Sequence, residues 1–257
     1  MIRAGASIVN NSALVYNRFA TSGLNYTGAI SGTGSVTKTG AGTQVLSGSN
    51  TYIGITTVSN GKLLVNGSNT GNGDYSVGAS GTLGGTGSLG TSTVNVTGVL
   101  SPGASVQTLS SGTVNFNTGS TFAYEVDSSV TVATGADLQI ISGDLNLTGT
   151  VTLTFADLAS SPVAFADGTT FSLFNYSGAW NSGTFTYDGN SIADDSTFTA
   201  GLNTWQIDYN AADGGQNFSG EYLGGGDSFV NITVIPEPHA AALGALGMLM
   251  LLRRRQR

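Results

Sequence analysis

The sequence predicts an all-β protein whose body is a parallel β-helix. Glycine accounts for 39 of the 257 residues, and only 9% are charged, whereas an average soluble domain has about 25% charged residues. Abundant Thr and Val, with frequent Gly-Thr, Gly-Ser and Asn-Gly pairs, favour many short strands joined by turns. Short apolar segments that each follow a glycine also recur along the chain. Together these features exclude a coiled coil and a charge-rich disordered tail.

The glycine-led segments give the predicted architecture. They begin at Gly42, Gly61, Gly81, Gly98 and Gly112, at intervals of 19, 20, 17 and 14 residues. Such intervals are close to one coil of a β-solenoid, in which each coil covers the apolar face of its neighbour. Val, Leu and Ile would then point inward, Thr, Ser and Asn outward, and Gly would occupy the corners. Spacing alone leaves a Gly/Thr-rich β-sandwich as the alternative.

Residues 32–67 carry a more specific pattern, GTGSVTKTGAGTQVLSGSNTYIGITTVSNGKLLVNG. This segment resembles the autotransporter-associated β-strand repeat, also called the passenger-associated transport repeat. The matching pieces are Lys38–Thr43, Leu46–Gly54, Thr56–Val58 and Gly61–Leu63. The resemblance implies a right-handed parallel β-helix for about residues 1–116, with a partial half-repeat at 1–31, the repeat at 32–67 and further coils at 68–116.

Residues 117–234 lose the short interval but keep alternating bulky and polar residues, and both Trp residues lie here. We expect a β-rich region whose aromatic side chains cap one end of the solenoid, which would otherwise expose an unpaired edge. The sequence leaves open whether this region is a widening β-helix or a small sandwich.

The last segment, residues 235–257, has a different composition. Pro236 and Pro238 stop any strand, and Ala240–Leu252 is then uninterrupted by polar residues. As a helix this stretch would be about 20 Å long, shorter than the roughly 30 Å core of a bilayer. A basic cluster follows it, formed by Arg253, Arg254, Arg255 and Arg257. The pattern predicts a short transmembrane helix with its arginines on the cytoplasmic side.

This segment resembles the PEP-CTERM sorting signal of Gram-negative bacteria in the motif Pro236, Glu237, Pro238, in the short apolar helix and in the basic cluster. The resemblance implies recognition by an exosortase, a membrane cysteine protease, with transient insertion in the inner membrane, cleavage near the motif and delivery to the cell surface or extracellular matrix. Proteins with this signal also carry a signal peptide. None is visible at the start of this sequence, so we expect in-frame coding sequence upstream of Met1.

Few residues are suited to catalysis. Cysteine is absent, and the only histidine, His239, lies inside the sorting segment, so the body has no Ser/His pair and no His-based metal site. Carboxylates remain, and a polysaccharide-active β-helical enzyme could use Asp194, Asp195 and Asp208. Their sequence context favours solvated turn residues.

Two glycine-rich turns, Gly71–Asp74 and Gly224–Asp227, resemble calcium-binding β-roll turns, but neither repeats every nine residues as such sites require. The sequence therefore predicts no metal and no cofactor. Residues 1–235 hold nearly all the acidic residues and only four basic ones, which argues against nucleic acid as a partner.

From the sequence we expect a non-catalytic, exported protein of the cell surface or of a biofilm matrix, with an exosortase and extracellular polysaccharide as partners. A polysaccharide-active enzyme and a glycan-binding adhesin are the alternatives.

Overall fold

The computed structural model describes residues 5–19, 23–103, 105–131, 134–217 and 228–236. Within these ranges the protein is all-β and has no α-helix. The first strands are β1 (Ile8–Val9), β2 (Ala13–Asn17), β3 (Leu24–Tyr26), β4 (Ile30–Ser31), β5 (Ser35–Thr39), β6 (Thr43–Leu46), β7 (Ser49–Asn50), β8 (Thr56–Val65), β9 (Ser68–Asn69), β10 (Tyr75–Gly85), β11 (Val94–Val96) and β12 (Val99–Pro102).

The remaining described strands are β13 (Thr108–Ser111), β14 (Val114–Phe116), β15 (Thr121–Val126), β16 (Leu138–Ile141), β17 (Leu145–Leu147), β18 (Val151–Asp157), β19 (Thr170–Tyr176), β20 (Phe185–Tyr187), β21 (Asn190–Ile192), β22 (Thr197–Ala200), β23 (Asn203–Ala211) and β24 (Ser228–Ile235).

Three ladders of parallel strands run through the molecule. One joins β2, β5, β8, β10, β11, β14 and β17. A second joins β3, β6, β8, β10, β12, β15, β18 and β20. The third is discontinuous and contains the pairs β1–β4 and β7–β9 and the run β13, β16, β19. The long strands β8 and β10 take part in the first two ladders.

We call a stretch of chain that adds one strand to each ladder a coil. In the first ladder Val36 pairs with Thr56, and Tyr75 pairs with Thr56 on one side and with Val94 on the other. One coil therefore takes about 20 residues, the length read from the glycine-led segments. Each strand within the stack finds its backbone partners in the coils before and after it. This arrangement of parallel sheets is consistent with the predicted β-helix.

One of the five glycine-led segments lies on a different ladder from the other four. The segments after Gly42, Gly61, Gly81 and Gly98 do pair with one another in order. The segment after Gly112 forms β14, which pairs with β11 and not with β12. The interval of 14 residues therefore joins two different sides of the stack. The partner of β12 is β15, which begins at Thr121.

Inward and outward rows alternate along each ladder, as period-2 strands require. In the first ladder one inward row contains Val58, Val77, Val96 and Phe116, all with 0–1% exposure. The neighbouring outward row contains a stack of asparagine side chains, Asn95, Asn115 and Asn146. The Nδ2 atom of Asn115 donates to Oδ1 of Asn95 at 2.9 Å, and Nδ2 of Asn146 donates to Oδ1 of Asn115 at 2.8 Å.

Columns of glycine mark the corners between ladders. The clearest column contains Gly28, Gly48, Gly67 and Gly87. A Cβ atom built on any of the last three would lie within 3.0 Å of the carbonyl oxygen of the column's preceding glycine. A second column, Gly34, Gly54 and Gly73, has the same relation. Side chains are therefore excluded at these corners because the backbones of successive coils approach too closely.

The coils become longer after residue 117. Val114 pairs with Leu145, and Val151 pairs with Phe185, so about 30 residues or more separate partners here. The larger cross-section is filled by aromatic rings, including Phe122 and Phe174, whose centroids are 4.3 Å apart. Parallel pairing then stops. The hairpin β20–β21 and the antiparallel order β19, β24, β23, β22 finish the two sheets.

The glycine column gives a first prediction. Gly48→Ala should destabilise the protein by about 1–3 kcal/mol or more, because the new methyl group can only be accommodated by separating two coils. The matched control is Gly78→Ala, where the nearest atom to a new Cβ is 3.5 Å away, an ordinary contact. Denaturant unfolding measures both, and equal losses of stability in the two variants would contradict the steric explanation.

Candidate functional site

The predicted sorting segment lies mostly outside the described residues. Pro236 is exposed and directly follows β24, which ends at Ile235. Glu237, Pro238, His239, the apolar stretch Ala240–Leu252 and the basic cluster Arg253, Arg254, Arg255 and Arg257 are outside the described ranges. Within those ranges, no element is a helix of the length and apolarity needed to cross a membrane. The short C-terminal helix therefore remains a prediction.

The three carboxylates considered for catalysis lie near the end of the stack. Asp194 is exposed, and its Oδ1 atom accepts the Tyr209 N–H at 3.0 Å. Asp208 accepts the Asn210 N–H at 2.9 Å. Asp195 is exposed in the turn between β21 and β22, with φ of 58°. Asp194 and Asp208 thus accept hydrogen bonds from nearby backbone, which is the role that aspartate commonly has in turns.

The turn Gly71–Asp74, the first of the two that resemble calcium-binding β-roll turns, makes hydrogen bonds to the next coil. The Oδ1 atom of Asn72 accepts the Thr91 N–H at 3.0 Å, and Oδ1 of Asp74 accepts the Thr93 N–H at 3.0 Å. Both side chains therefore tie this corner to the following coil. The second turn, Gly224–Asp227, lies outside the described residues. In the part of the chain that the structure describes, no three His, Cys, Asp or Glu side chains converge as a metal site would need.

Lys38 is fully buried in an otherwise apolar inward row. Its Nζ atom donates to the carbonyl oxygens of Thr39 at 2.9 Å, Gly40 at 2.7 Å and Asn60 at 2.9 Å. Burial lowers the pKa of the ammonium group, and the positive charge of Arg18 lowers it further. All three N–H donors of the lysine are satisfied. The side chain thus joins two coils at a corner within the repeat-like segment.

Asp137 is a buried carboxylate that sequence reasoning missed. It is 0% exposed. Its Oδ1 atom accepts the Gln107 N–H at 2.9 Å, and Oδ2 accepts the Glu125 N–H at 3.1 Å. Its carbonyl oxygen accepts a hydrogen bond from Nδ2 of Asn217 at 3.0 Å. One residue therefore ties together three segments where the coils begin to lengthen.

Burial raises the pKa of Asp137 to about 8. The negative charge of Glu125 acts in the same direction, while the two backbone N–H donors and the positive charge of Lys62 oppose the shift. Desolvation dominates because the carboxyl group is removed from water. No sequence signal distinguishes this aspartate from the exposed ones, since its burial depends on segments distant in the chain.

Comparison with known families matches residues 36–65 to the passenger-associated transport repeat. The matched residues run from within β5 to the end of β8 and include Lys38 and Gly48. They form neighbouring strands of the stack and contain one glycine from each of the two corner columns, Gly48 and Gly54. No curated protein matches the chain. The repeat part of the predicted resemblance is thereby confirmed.

Asp137 gives a second prediction. Because its folded pKa lies above the ordinary value of 3.8, its contribution to the free energy of unfolding is greatest below pH 4 and is lost as the pH rises to about 8. Asp137→Asn should remove this pH dependence. It should also reduce stability at pH 4 by about 1–3 kcal/mol, because an amide oxygen accepts one of the two backbone N–H groups and leaves the other unpaired.

The measurement is chemical denaturation of wild type and variant at several pH values from 4 to 9. The matched control is Asp74→Asn, at an exposed aspartate that also accepts a backbone N–H. A difference between wild type and Asp137→Asn that stays constant across this pH range would show that the carboxyl group at 137 does not titrate as described.

Proposed function

We propose that the protein is a non-catalytic, exported protein of the cell surface or extracellular matrix, whose body is a right-handed parallel β-helix. The match of residues 36–65 to the passenger-associated transport repeat carries this proposal. The three parallel ladders with coils of about 20 residues support the β-helix. A stack of this kind offers long, regular outer faces and satisfies its backbone hydrogen bonds between coils.

The composition supports a place outside the cytoplasm. The chain has no cysteine, so its stability does not depend on the redox state of the compartment. Most outward positions on the ladders are Thr, Ser or Asn, and charged side chains are few. Such a surface is hydrated without a strong field, which suits a protein surrounded by other polymers.

The non-catalytic role is supported by the state of the carboxylates. Asp194 and Asp208 accept hydrogen bonds from neighbouring backbone N–H groups, and the buried Asp137 is held by backbone on both oxygens. A pair of catalytic carboxylates must face each other across a substrate. The hydrogen bonds of these residues are those of turn and packing residues.

The C-terminal segment supplies the proposed route to the surface. The break at Pro236 to Pro238 follows the last strand, Ala240–Leu252 would insert transiently in the inner membrane, and the arginine cluster would stay on the cytoplasmic side. A helix shorter than the bilayer core is a marginal anchor. An exosortase would then cleave near the motif and release the body.

A sorting experiment tests this proposal in a host that has an exosortase, with a supplied signal peptide. Replacement of Arg253, Arg254, Arg255 and Arg257 by Ser removes charges that each cost about 2.5–3.5 kcal/mol at the bilayer centre. The span should then slip outward and processing should fail. Glu237→Gln leaves the span intact but should impair recognition, so uncleaved protein should stay in the membrane.

Mass spectrometry of the purified protein and membrane fractionation read out the result. Gln256→Ser is the matched control, since it changes the same terminus without a change of charge, and it should be processed like wild type. If wild type keeps its last 20 or so residues and stays in the inner membrane together with the variants, the segment is a simple anchor and the sorting proposal is wrong.

A further inference from the structure

The two sheets finish in separate hairpins, and a cavity lies between them. The hairpin β20–β21 ends one sheet and the hairpin β22–β23 ends the other. The cavity has a volume of about 340 Å³, which is within the range of small-ligand sites. Its walls come from both hairpins. Tyr187, Asp188 and Asn190 lie on one side, and Thr197, Phe198 and Thr199 on the other.

Two aromatic rings form the apolar part of the cavity. The ring centroids of Tyr187 and Phe198 are 5.1 Å apart with an angle of 47° between their planes. Both side chains pack partly against the core, and both remain partly exposed to the cavity. Aromatic side chains that are held in place but keep one face wet are well suited to ligands that have both apolar and polar surface.

The polar part of the cavity is rich in hydrogen-bonding groups. The carboxylate of Asp188 accepts hydrogen bonds, and the amide of Asn190 both donates and accepts them. Thr197 and Thr199 line the same cavity, but their side chains alternate with Phe198 along β22 and so point to the other face of the strand. Asp188 and Gly189 have φ of 51° and 77°, as in the tight two-residue turns of β-hairpins. The Nδ2 atom of Asn190 also donates to the Asp188 carbonyl oxygen at 3.1 Å, so the turn places these two residues side by side.

The negative charge around the cavity favours neutral ligands over anionic ones. Asp188 lines the cavity, and Asp194 and Asp195 follow on the next turn. Among the described residues no Lys or Arg occurs after Lys62. Lys62 lies in β8, which the strands β10, β12, β15 and β18 separate from β20 along the ladder. Among the described residues no cation is therefore close enough to pair with a carboxylate, sulfate or phosphate group, and the aspartates would repel an anionic ligand.

We propose that this cavity is a binding site for a neutral saccharide. The C–H face of a hexose ring would pack on Tyr187 and Phe198, and its hydroxyl groups would exchange hydrogen bonds with Asp188 and Asn190. The proposal deepens the surface function proposed above by naming a ligand class and its site. Binding by purified protein is independent of sorting, so failure of either proposal can be recognised separately.

The test uses the purified full-length chain in detergent and three probes, cellotetraose, maltotetraose and tetragalacturonate. Titration calorimetry and ligand-observed NMR should detect binding of at least one neutral tetrasaccharide, with a dissociation constant of about 1 mM or lower. Tetragalacturonate should bind at least about tenfold more weakly. Asp188→Asn keeps the turn, because asparagine tolerates positive φ. Since it removes a negative charge, it should reduce the difference in affinity between tetragalacturonate and the neutral tetrasaccharides.

Two variants assign the binding to the cavity. Tyr187→Ala should weaken it at least about tenfold, a loss of ~1.4 kcal/mol. Asn190→Ala, at an exposed position, removes one donor and one acceptor of the cavity and should weaken binding several-fold. The matched control is Leu202→Ala, an exposed residue in the turn between β22 and β23 that does not line the cavity. Far-UV circular dichroism checks that each variant is folded.

The proposal is overturned by any of three results. The first is that neither neutral tetrasaccharide binds at about 10 mM. The second is that Asn190→Ala and Tyr187→Ala bind the neutral tetrasaccharides as tightly as Leu202→Ala does. The third is that tetragalacturonate binds as tightly as the neutral probes.

Discussion

The close approach of successive coils at their corners is the constraint on which the rest of the structure depends. Hydrogen-bonded strands lie about 4.8 Å apart. At the corners, where no ladder holds the strands side by side, the backbones of successive coils must turn at that same spacing. Gly48 and Gly67 follow Gly28 there, because a Cβ at either position would meet the carbonyl oxygen of the coil before. Once these corners are in place, the inward rows stack in register and the polar rows face water.

Three polar side chains inside the stack, those of Lys38, Asn50 and Asp137, are held by hydrogen bonds to the backbone. Lys38 uses all three ammonium hydrogens on carbonyl oxygens at a corner. Asn50 accepts the Ile30 N–H and donates to the Gly48 carbonyl oxygen, at 3.0 and 3.1 Å. Asp137 accepts two backbone N–H groups. In each case a buried polar side chain completes backbone hydrogen bonds that a ladder leaves open at a bend, which offsets its desolvation.

The sequence predicted the parts of the fold that depend on a short repeated pattern of residues. The glycines from Gly42 to Gly98 mark one corner of each coil, and the alternation of residues after them predicts which side chains point inward. The segment after Gly112 does not continue the ladder of the other four segments. Glycine occurs at several corners of each coil, so the spacing of glycines alone does not show to which ladder the next strand belongs. For the same reason, spacing alone did not identify the column of corner glycines from Gly28 to Gly87.

Features that depend on distant segments could not be predicted. Asp137 and the exposed Asp194 have similar local sequence context, and only the packing of residues 107, 125 and 217 around the former makes it buried. The cavity lined by Tyr187 and Phe198 likewise exists because two sheets end in separate hairpins. The predicted sorting segment is the reverse case, since its prediction uses three unlike features that are read from sequence order alone, and it stays a prediction.

The glycine columns also affect how the molecule should unfold. In a stack where each coil contacts mainly its two neighbours, stability behaves as a one-dimensional chain of nearest-neighbour couplings. A corner glycine belongs to one such coupling, so a bulky replacement in a middle coil weakens the link between the two halves and leaves the links within each half intact. The protein would then melt as two cooperative blocks of unequal size, and the block that contains the aromatic-filled coils would be the last to unfold.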